Sequence, residues 1–142
     1  MKLLLIAQGK LKDKGLRALV DDYLGRIKRY APCQEIEVKE ASQLLAAVPA
    51  EATLVALEVS GQELSSTALA QRVERWLGHG KGVVAFVIGG AEGLPKEIGA
   101  RANFELSLSR LTLPHRLARL LLAEQLYRSF SILRGEPYAR EE

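Results

Sequence analysis

A run of six apolar residues, Val83–Ile88, leads directly into a glycine-rich stretch and constrains the fold more than any other segment. Branched apolar residues predominate in it, which is typical of a strand buried on both faces of a parallel sheet. Gly89, Gly90 and Gly93 follow the run. Glycines at the carboxyl end of such a strand leave bare backbone where open α/β sheets bind their ligands. The sequence therefore predicts a small-molecule site built from loops at this edge.

Strand and helix patterns alternate along the rest of the chain. Apolar or alternating runs predict further strands at 2–8, 34–39, 53–59 and 104–108, the third ended by Ser60-Gly61. Apolar residues at i, i+3 and i+4 spacing predict helices at 15–30, 42–48, 66–77, 95–102 and 114–134. This alternation predicts a single α/β domain over residues 1–142, with a mostly parallel sheet and helices on both faces.

The last predicted helix is apolar around most of its circumference, and Gly135 is its expected C′ residue. A helix that packs on one side only carries a narrower apolar stripe. The apolar residues outside one such stripe therefore predict a second contact, with another subunit across a two-fold axis. A central helix wrapped by its own chain is the alternative. The apolar positions are Leu117, Leu120, Leu121, Leu122, Leu126, Tyr127, Phe130, Ile132 and Leu133.

The composition narrows the class of protein. Apolar residues make up 48% and charged residues 26% of the chain, as in soluble globular domains. No apolar run approaches the roughly 20 residues that span a bilayer, so no membrane partner is expected. Cys33 is the single cysteine, which excludes an intrachain disulfide and favours a cytoplasmic location. The chain contains one cysteine and two histidines, too few for a typical Cys/His zinc site, so no such site is expected. A net charge of +3 permits an RNA partner without requiring one.

The glycine pattern departs from the common nucleotide-binding motifs. It is G-G-x-x-G on the fourth predicted strand, whereas the dinucleotide fingerprint is G-x-G-x-x-G in the first βα turn. No G-x-x-x-x-G-K-[ST] motif is present, which excludes P-loop chemistry. Three interpretations stay open: a backbone-built ligand site, a dinucleotide-dependent oxidoreductase with unusual spacing, and a tight turn without a ligand.

Residues for covalent catalysis are scarce. No G-x-S-x-G motif occurs, and Cys33 fits a small packed residue better than a nucleophile. His79 lies between glycines and fits a surface position. His115 adjoins a second unusual segment, 106–115, where it either bonds locally or belongs to a substrate pocket. The scarcity favours a reaction in which a cofactor carries the reactive group and the protein supplies position.

Four segments together resemble one family over nearly the whole chain. They are MKLLLIAQGKLK, VALEVSGQELSS, FVIGGAEGLPKEI and LSLSRLTLPHRLARLLLAEQLYRSFSILRGEPY. These segments resemble the RlmH (YbeA-like) family of SPOUT methyltransferases, and the combination of F-V-I-G-G-x-x-G-L with L-T-L-P-H and E-Q-L-Y-R is specific. The resemblance implies an α/β fold with a C-terminal trefoil knot, an exception to the rule that chains avoid knots.

The same resemblance implies an activity and its partners. The implied reaction is methylation of N3 of a pseudouridine in helix 69 of large-subunit ribosomal RNA, with S-adenosylmethionine as cofactor. The partners are this rRNA or the ribosome and a second copy of the chain, with no metal. The alternative is a non-catalytic RNA- or ribosome-binding module on the same fold.

Three loops form the cofactor pocket in this family. Carried over by motif, the first offers Leu57, and the second offers Gly89 with Gly90 beside it. The third loop offers Leu108, Ser109, Arg110, Leu111, Thr112 and Leu113. Such loops bind mainly through backbone groups and apolar contacts.

The C-terminal tail departs from the family at one position. Relatives usually read P-Y-H-[RK], whereas this chain has Ala139 in place of the histidine. The resemblance implies that Arg140 and Tyr138 place the target base by stacking and phosphate contacts. His115 is the candidate proton acceptor. Arginines of one subunit are expected to complete the site of the other.

Overall fold

Strands and helices alternate along residues 1–140, the part of the chain that this computed structural model describes. The strands are β1 (Lys2–Gln8), β2 (Cys33–Val38), β3 (Thr53–Glu63), β4 (Val83–Ile88) and β5 (Phe104–Ser107). The α-helices are α1 (Lys14–Ile27), α2 (Ser66–Leu77), α3 (Lys96–Arg101) and α4 (His115–Arg134). The predicted α/β alternation is confirmed.

The five strands form one parallel sheet in the order β2-β1-β4-β3-β5. β4 lies at its centre, and its residues from Val84 to Val87 have no exposed surface. In register, Ala7 of β1 lies beside Ile88, and Ala56 of β3 lies beside Val87. The carboxyl ends of the three central strands therefore meet at one edge, as predicted from the glycines after β4.

Helices cover the two faces of the sheet unequally. α1, α2 and α4 pack on one face, where the core includes Val20, Val73 and Leu122. Among residues 1–140, the other face is covered by α3 and by two short 3₁₀ turns, Ala41–Gln43 and Leu45–Ala47. The prediction of helices on both faces is confirmed, and the cover of the second face is thin.

Local signals set the ends of the longer helices. The Asp13 carboxylate accepts a hydrogen bond from the Leu16 N–H (2.9 Å) and caps α1. The Ser65 hydroxyl accepts one from the Ala68 N–H (3.0 Å) and caps α2. Gly135 ends α4 in the left-handed region, with φ of 66°. Glycine adopts this conformation without the strain that a Cβ adds, so the predicted C′ residue is confirmed.

Two predicted elements were wrong in part. The helix expected at 42–48 consists of the two 3₁₀ turns, because the buried Leu44 holds the chain against the sheet and Pro49 follows closely. β3 was expected to end at Ser60-Gly61 but continues to Glu63. Its pairing with β5 shifts, so that Leu57 and Gln62 both lie beside Leu106. The intervening residues bulge out of the sheet.

α4 lies between α1 and α2 and is largely wrapped by its own chain. Leu122, Ala123 and Leu126 have no exposed surface. Leu117 and Leu121, one helical turn apart, remain 39% and 41% exposed. The alternative of a central helix therefore holds for most of α4, and a short apolar strip is left over. The second subunit and the trefoil knot stay predictions.

Candidate functional site

Three loops from neighbouring strands meet at the carboxyl edge of the sheet. They are the β3 bulge (residues 58–61), the glycine loop after β4 (89–94) and the β5–α4 loop (108–114). Because β3 lies between β4 and β5 in the sheet, parallel pairing brings these loops together. The three loops that the resemblance groups into one pocket thus lie together in space.

The loops enclose a cleft of about 650 Å³, within the range of small-molecule sites. Its lining is mainly apolar side chains and glycine backbone. Every residue predicted to bind the cofactor lines it except Arg110. The lining includes Leu57, Gly89, Gly90, Leu108, Ser109, Leu111, Thr112, Leu113 and His115.

The glycine loop is folded back tightly on itself. Gly90 and Gly93 form an isolated antiparallel bridge, and the Gly93 N–H donates to the Gly90 carbonyl (3.0 Å). A Cβ on Gly89 would lie 2.6 Å from the Gly93 carbonyl carbon. Such a contact is too short for any side chain. Gly89 is therefore required by the loop itself, whereas a Cβ on Gly90 would meet only the movable side chain of Gln8.

The β3 bulge supplies a second wall and depends on another glycine. A Cβ on Gly61 would lie 2.7 Å from the carbonyl oxygen of Glu105 on β5. The close approach lets β3 rejoin β5 after the bulge, so that Glu58 and Val59 line the cleft. Sequence analysis missed these two positions because it placed both inside a regular strand at 53–59, whereas the structure has them in the bulge.

The β5–α4 loop is held by its own serines. The Ser107 hydroxyl donates to the Ser109 carbonyl (2.9 Å), and the Leu111 N–H donates to the Ser109 hydroxyl (3.0 Å). Arg110 points out of the cleft, with its side chain 88% exposed and its Nε 2.8 Å from the Glu63 carboxylate. The placement of Arg110 therefore favours contact with something outside the cleft.

One acidic side chain lines the cleft. Burial, together with the nearby charge of Glu105, raises the pKa of Glu58 above its ordinary value. A carboxylate in such surroundings gains from a cationic group placed beside it. The cleft thus combines apolar walls with a site that favours positive charge.

His115 and Arg116 stand at the mouth of the cleft, on the first turn of α4. Both are exposed. His115 is the histidine among the residues that line the cleft. Its predicted role as proton acceptor stays a prediction. The Pro114 carbonyl accepts backbone hydrogen bonds from Leu117 and Ala118, so the first turn is firmly formed.

Tyr138 lies on the tail after α4, which folds back along the carboxyl half of that helix. Its hydroxyl donates to the Glu124 carboxylate (2.7 Å) and lies 3.2 Å from the Tyr23 hydroxyl. Its ring packs against Tyr127 with centroids 4.6 Å apart, and the Arg128 guanidinium lies 4.9 Å from the centroid of the Tyr138 ring. Burial and these hydrogen bonds raise the Tyr138 pKa. Tyr138 thus anchors the tail, and its ring is partly buried. Its predicted role in placing the target base stays a prediction.

Arg140 is exposed beyond this anchor, and the Ala139 N–H donates to the Ser131 hydroxyl (3.0 Å). The tail is therefore fixed to the carboxyl end of α4. α4 has 20 residues and a length of about 30 Å. His115 and Arg140 consequently lie at opposite ends of a rigid helix, so one chain does not bring them together. Glu141 and Glu142 lie outside the described residues.

An ion cluster around the buried Arg119 was missed by sequence analysis. Arg119 on α4 is 2% exposed and pairs with Glu35 (2.8 Å) and Glu37 on β2. It also donates to the Gly9 carbonyl (3.0 Å), while its Nε is buried without a hydrogen-bond partner. Arg17 on α1 joins the same two carboxylates. The sequence signal for this cluster was the alternation of charged and apolar residues along β2. Sequence analysis read that pattern as a strand with one face in solvent.

The remaining candidate chemistry is accounted for. Burial raises the pKa of the Cys33 thiol to about 11, so the thiol is neutral and packed. Within residues 1–140, no group of three or more His, Cys, Asp or Glu side chains is placed to hold a metal. None of the helices described is long and apolar enough to cross a membrane.

Comparison with known proteins agrees with this geometry. The family model described as a predicted SPOUT methyltransferase matches residues 1–139. Ribosomal RNA large subunit methyltransferase H of Sorangium cellulosum (strain So ce56) is 56% identical, over 98% of this chain and 99% of that protein. The protein of the same name from Shouchella clausii (strain KSM-K16) is 40% identical, over 97% and 99%.

A solved structure shares the fold. It is described as a probable methylase family protein from Haemophilus influenzae Rd KW20, and its TM-score is 0.58 at 14% sequence identity. The match covers 94% of this chain and 67% of that one. Because the family model and the curated relatives match nearly the full length of this chain, the chain belongs to the SPOUT methyltransferase family, in the group of ribosomal RNA large subunit methyltransferases H.

Proposed function

We propose that this protein transfers the methyl group of S-adenosylmethionine to N3 of a pseudouridine in helix 69 of large-subunit ribosomal RNA. The observation that carries the proposal is the three-loop cleft, in a chain whose relatives are named as large-subunit rRNA methyltransferases. The cytoplasm is the expected location of such an enzyme.

The cleft fits the proposed methyl donor. Leu57, Leu108 and Leu113 offer apolar walls for an adenosine group, and the backbone of the glycine loop offers polar groups at close range. Glu58 lies where a sulfonium cation gains from a carboxylate. S-adenosylmethionine supplies the electrophilic methyl group when bound.

The protein contributes position and proton transfer to the proposed reaction. N3 of a pseudouridine carries a proton that must leave before or during attack on the methyl group. His115 at the mouth of the cleft is the proposed acceptor, and Arg116 beside it favours the anionic base. Alignment of the two reactants supplies most of the acceleration, since effective molarity is worth about 7–11 kcal/mol.

The tail serves the cleft of a second copy. His115 and Arg140 are separated by the length of α4 within one chain. Leu117 and Leu121 form an exposed apolar strip near the cleft, and a two-fold dimer through this strip places two copies of α4 side by side. In such a dimer Arg140 of one subunit contacts the RNA held at the cleft of the other.

Two measurements test the proposal. The first is transfer of labelled methyl to large-subunit rRNA or ribosomes, with the product mapped as N3-methylpseudouridine in helix 69. The His115→Ala variant is the matched control for contaminating activity. Binding of S-adenosylmethionine and of rRNA without methyl transfer by the unmodified protein favours the non-catalytic module instead.

The second measurement tests the shared site. His115→Ala and Arg140→Ala subunits are each expected to bind S-adenosylmethionine normally and to lack most activity. Mixed and re-equilibrated, half of the dimers are heterodimers, and each contains one intact site, so about a quarter of the activity returns. No recovery on mixing, with heterodimers verified, contradicts a site shared between subunits.

A further inference from the structure

Three lysines alternate along the loop that follows β1 and into the first residue of α1. Lys10, Lys12 and Lys14 are exposed, while Leu11 between them is buried in the core. Within residues 1–140 none of the three forms an ion pair with a carboxylate. Asp13 is committed to capping α1. The segment therefore carries three lysines and one carboxylate, which makes its surface net positive.

The loop is held rigidly from beneath. The Leu11 N–H donates to the Glu37 carboxylate (3.1 Å), and the Gly9 N–H donates to the Val38 carbonyl (2.7 Å). Gly9 has φ of 86°, which turns the chain away from the sheet, and its carbonyl accepts from Arg119 (3.0 Å). The Arg119 ion cluster thus fixes the backbone from which the lysines project. A loop with a fixed backbone loses less entropy on binding a ligand than a mobile loop does.

The loop lies beside the cleft. Gln8, which leads into it, would contact any Cβ placed on Gly90 in the glycine loop. Arg119, which holds Gly9, is one turn along α4 from His115 and Arg116 at the mouth of the cleft. The lysine surface and the cleft are therefore contiguous.

We infer that Lys10 and Lys12 bind the phosphate backbone of the RNA whose base enters the cleft, a role that rests on the proposed function. Phosphate contacts by lysine release counterions, which makes binding salt-dependent but not sequence-specific. The lysine loop thus sets affinity and register on the RNA, and the cleft acts on the base. Arg119, Glu35 and Glu37 are positioning residues for this loop.

The test compares two charge-matched double variants. Lys10→Gln/Lys12→Gln removes the proposed contacts. Lys28→Gln/Lys81→Gln removes two exposed lysines near the amino-terminal edge of the sheet. For each protein, binding to a helix 69 RNA hairpin is titrated at several salt concentrations, S-adenosylmethionine affinity is measured by calorimetry, and methyl transfer is measured on rRNA.

The Lys10/Lys12 variant is expected to bind RNA roughly tenfold more weakly, and its salt slope should fall by about 1 for each lost phosphate contact. Its affinity for S-adenosylmethionine should be unchanged, and the Lys28/Lys81 variant should behave as the unmodified protein. Equal losses in both double variants, or no loss in either, overturn the inference while methyl transfer by the unmodified protein still supports the proposed function. An unmodified protein that neither binds nor methylates rRNA overturns both.

Discussion

Gly89→Ala provides a direct test of the glycine loop. The new methyl group would lie 2.6 Å from the Gly93 carbonyl carbon, 2.7 Å from its oxygen and 3.0 Å from the Leu94 nitrogen. Ordinary contact begins at 3.4 Å, so the Gly93–Leu94 backbone must retreat by about 0.8 Å. These atoms are backbone atoms of a hydrogen-bonded turn, so no side-chain rotation relieves the contact.

The expected loss follows from that displacement. Forcing an extra carbon into a packed site costs about 1–3 kcal/mol. Because the displaced loop lines the cleft, most of this cost should appear as weaker binding of S-adenosylmethionine, by roughly tenfold or more. Calorimetric titration measures the affinity, and urea unfolding of the ligand-free protein measures the part of the cost that reaches global stability.

Two other glycines serve as controls. A Cβ on Gly90 meets the side chain of Gln8, which can move aside, so Gly90→Ala should weaken binding less. Gly99 lies within α3 with no atom within 4 Å of its Cβ position. Gly99→Ala should leave affinity unchanged and add about 0.5–1 kcal/mol of stability. A Gly89→Ala protein with normal affinity and normal stability would refute the argument from backbone contact.

Two further predictions concern charged groups. Arg119→Met should lower the free energy of unfolding by about 2 kcal/mol, because the partly exposed carboxylates of Glu35 and Glu37 lose their charged hydrogen bonds to Arg119 and keep Arg17 as their remaining cation. Burial of Glu37 opposes its ionisation, but hydrogen bonds from Arg119 and the Leu11 N–H outweigh this and lower its pKa below 4.5. Glu37 therefore contributes stability above pH 4.5, and this stability is lost as the pH falls through the lowered pKa. Urea unfolding from neutral to acid pH should show a smaller loss of stability in the Arg119→Met protein. Glu58→Gln should weaken S-adenosylmethionine binding about fivefold at neutral pH. In the unmodified protein the affinity should fall as acid protonates Glu58, and in the variant this fall should be smaller. Equal calorimetric affinities for the two proteins would contradict a role for Glu58.

The sequence was sufficient for elements whose signals are local. The apolar run of β4 and the C′ residue Gly135 act through the backbone near them, so their predicted roles are confirmed. The predicted helix at 42–48 failed because Leu44 packs in the core and tertiary contact overrides propensity there. The β3 bulge depends on Gly61 meeting the Glu105 carbonyl across the sheet, which no local pattern encodes.

The loops of the candidate site could be predicted from the sequence, but the contacts that support them from distant segments could not. Loops at the carboxyl ends of β3, β4 and β5 were selected by their glycines and by the family motifs, and the parallel register brings them together. The anchoring of Tyr138 and the ion cluster of Arg119 depend on partners more than 80 residues away in the chain, namely Tyr23, Glu35 and Glu37. Such pairings follow from packing and are invisible in the periodicity of either segment.

α4 has a geometric consequence for any assembly of this chain. It begins at the mouth of the cleft and ends at the anchored tail, so it acts as a spacer of fixed length between them. One inserted residue would advance the tail by 1.5 Å and rotate it by about 100° around the helix axis. The direction in which Arg140 projects therefore depends on the number of residues in α4. Inserting a full helical turn should change that direction far less than inserting a single residue does.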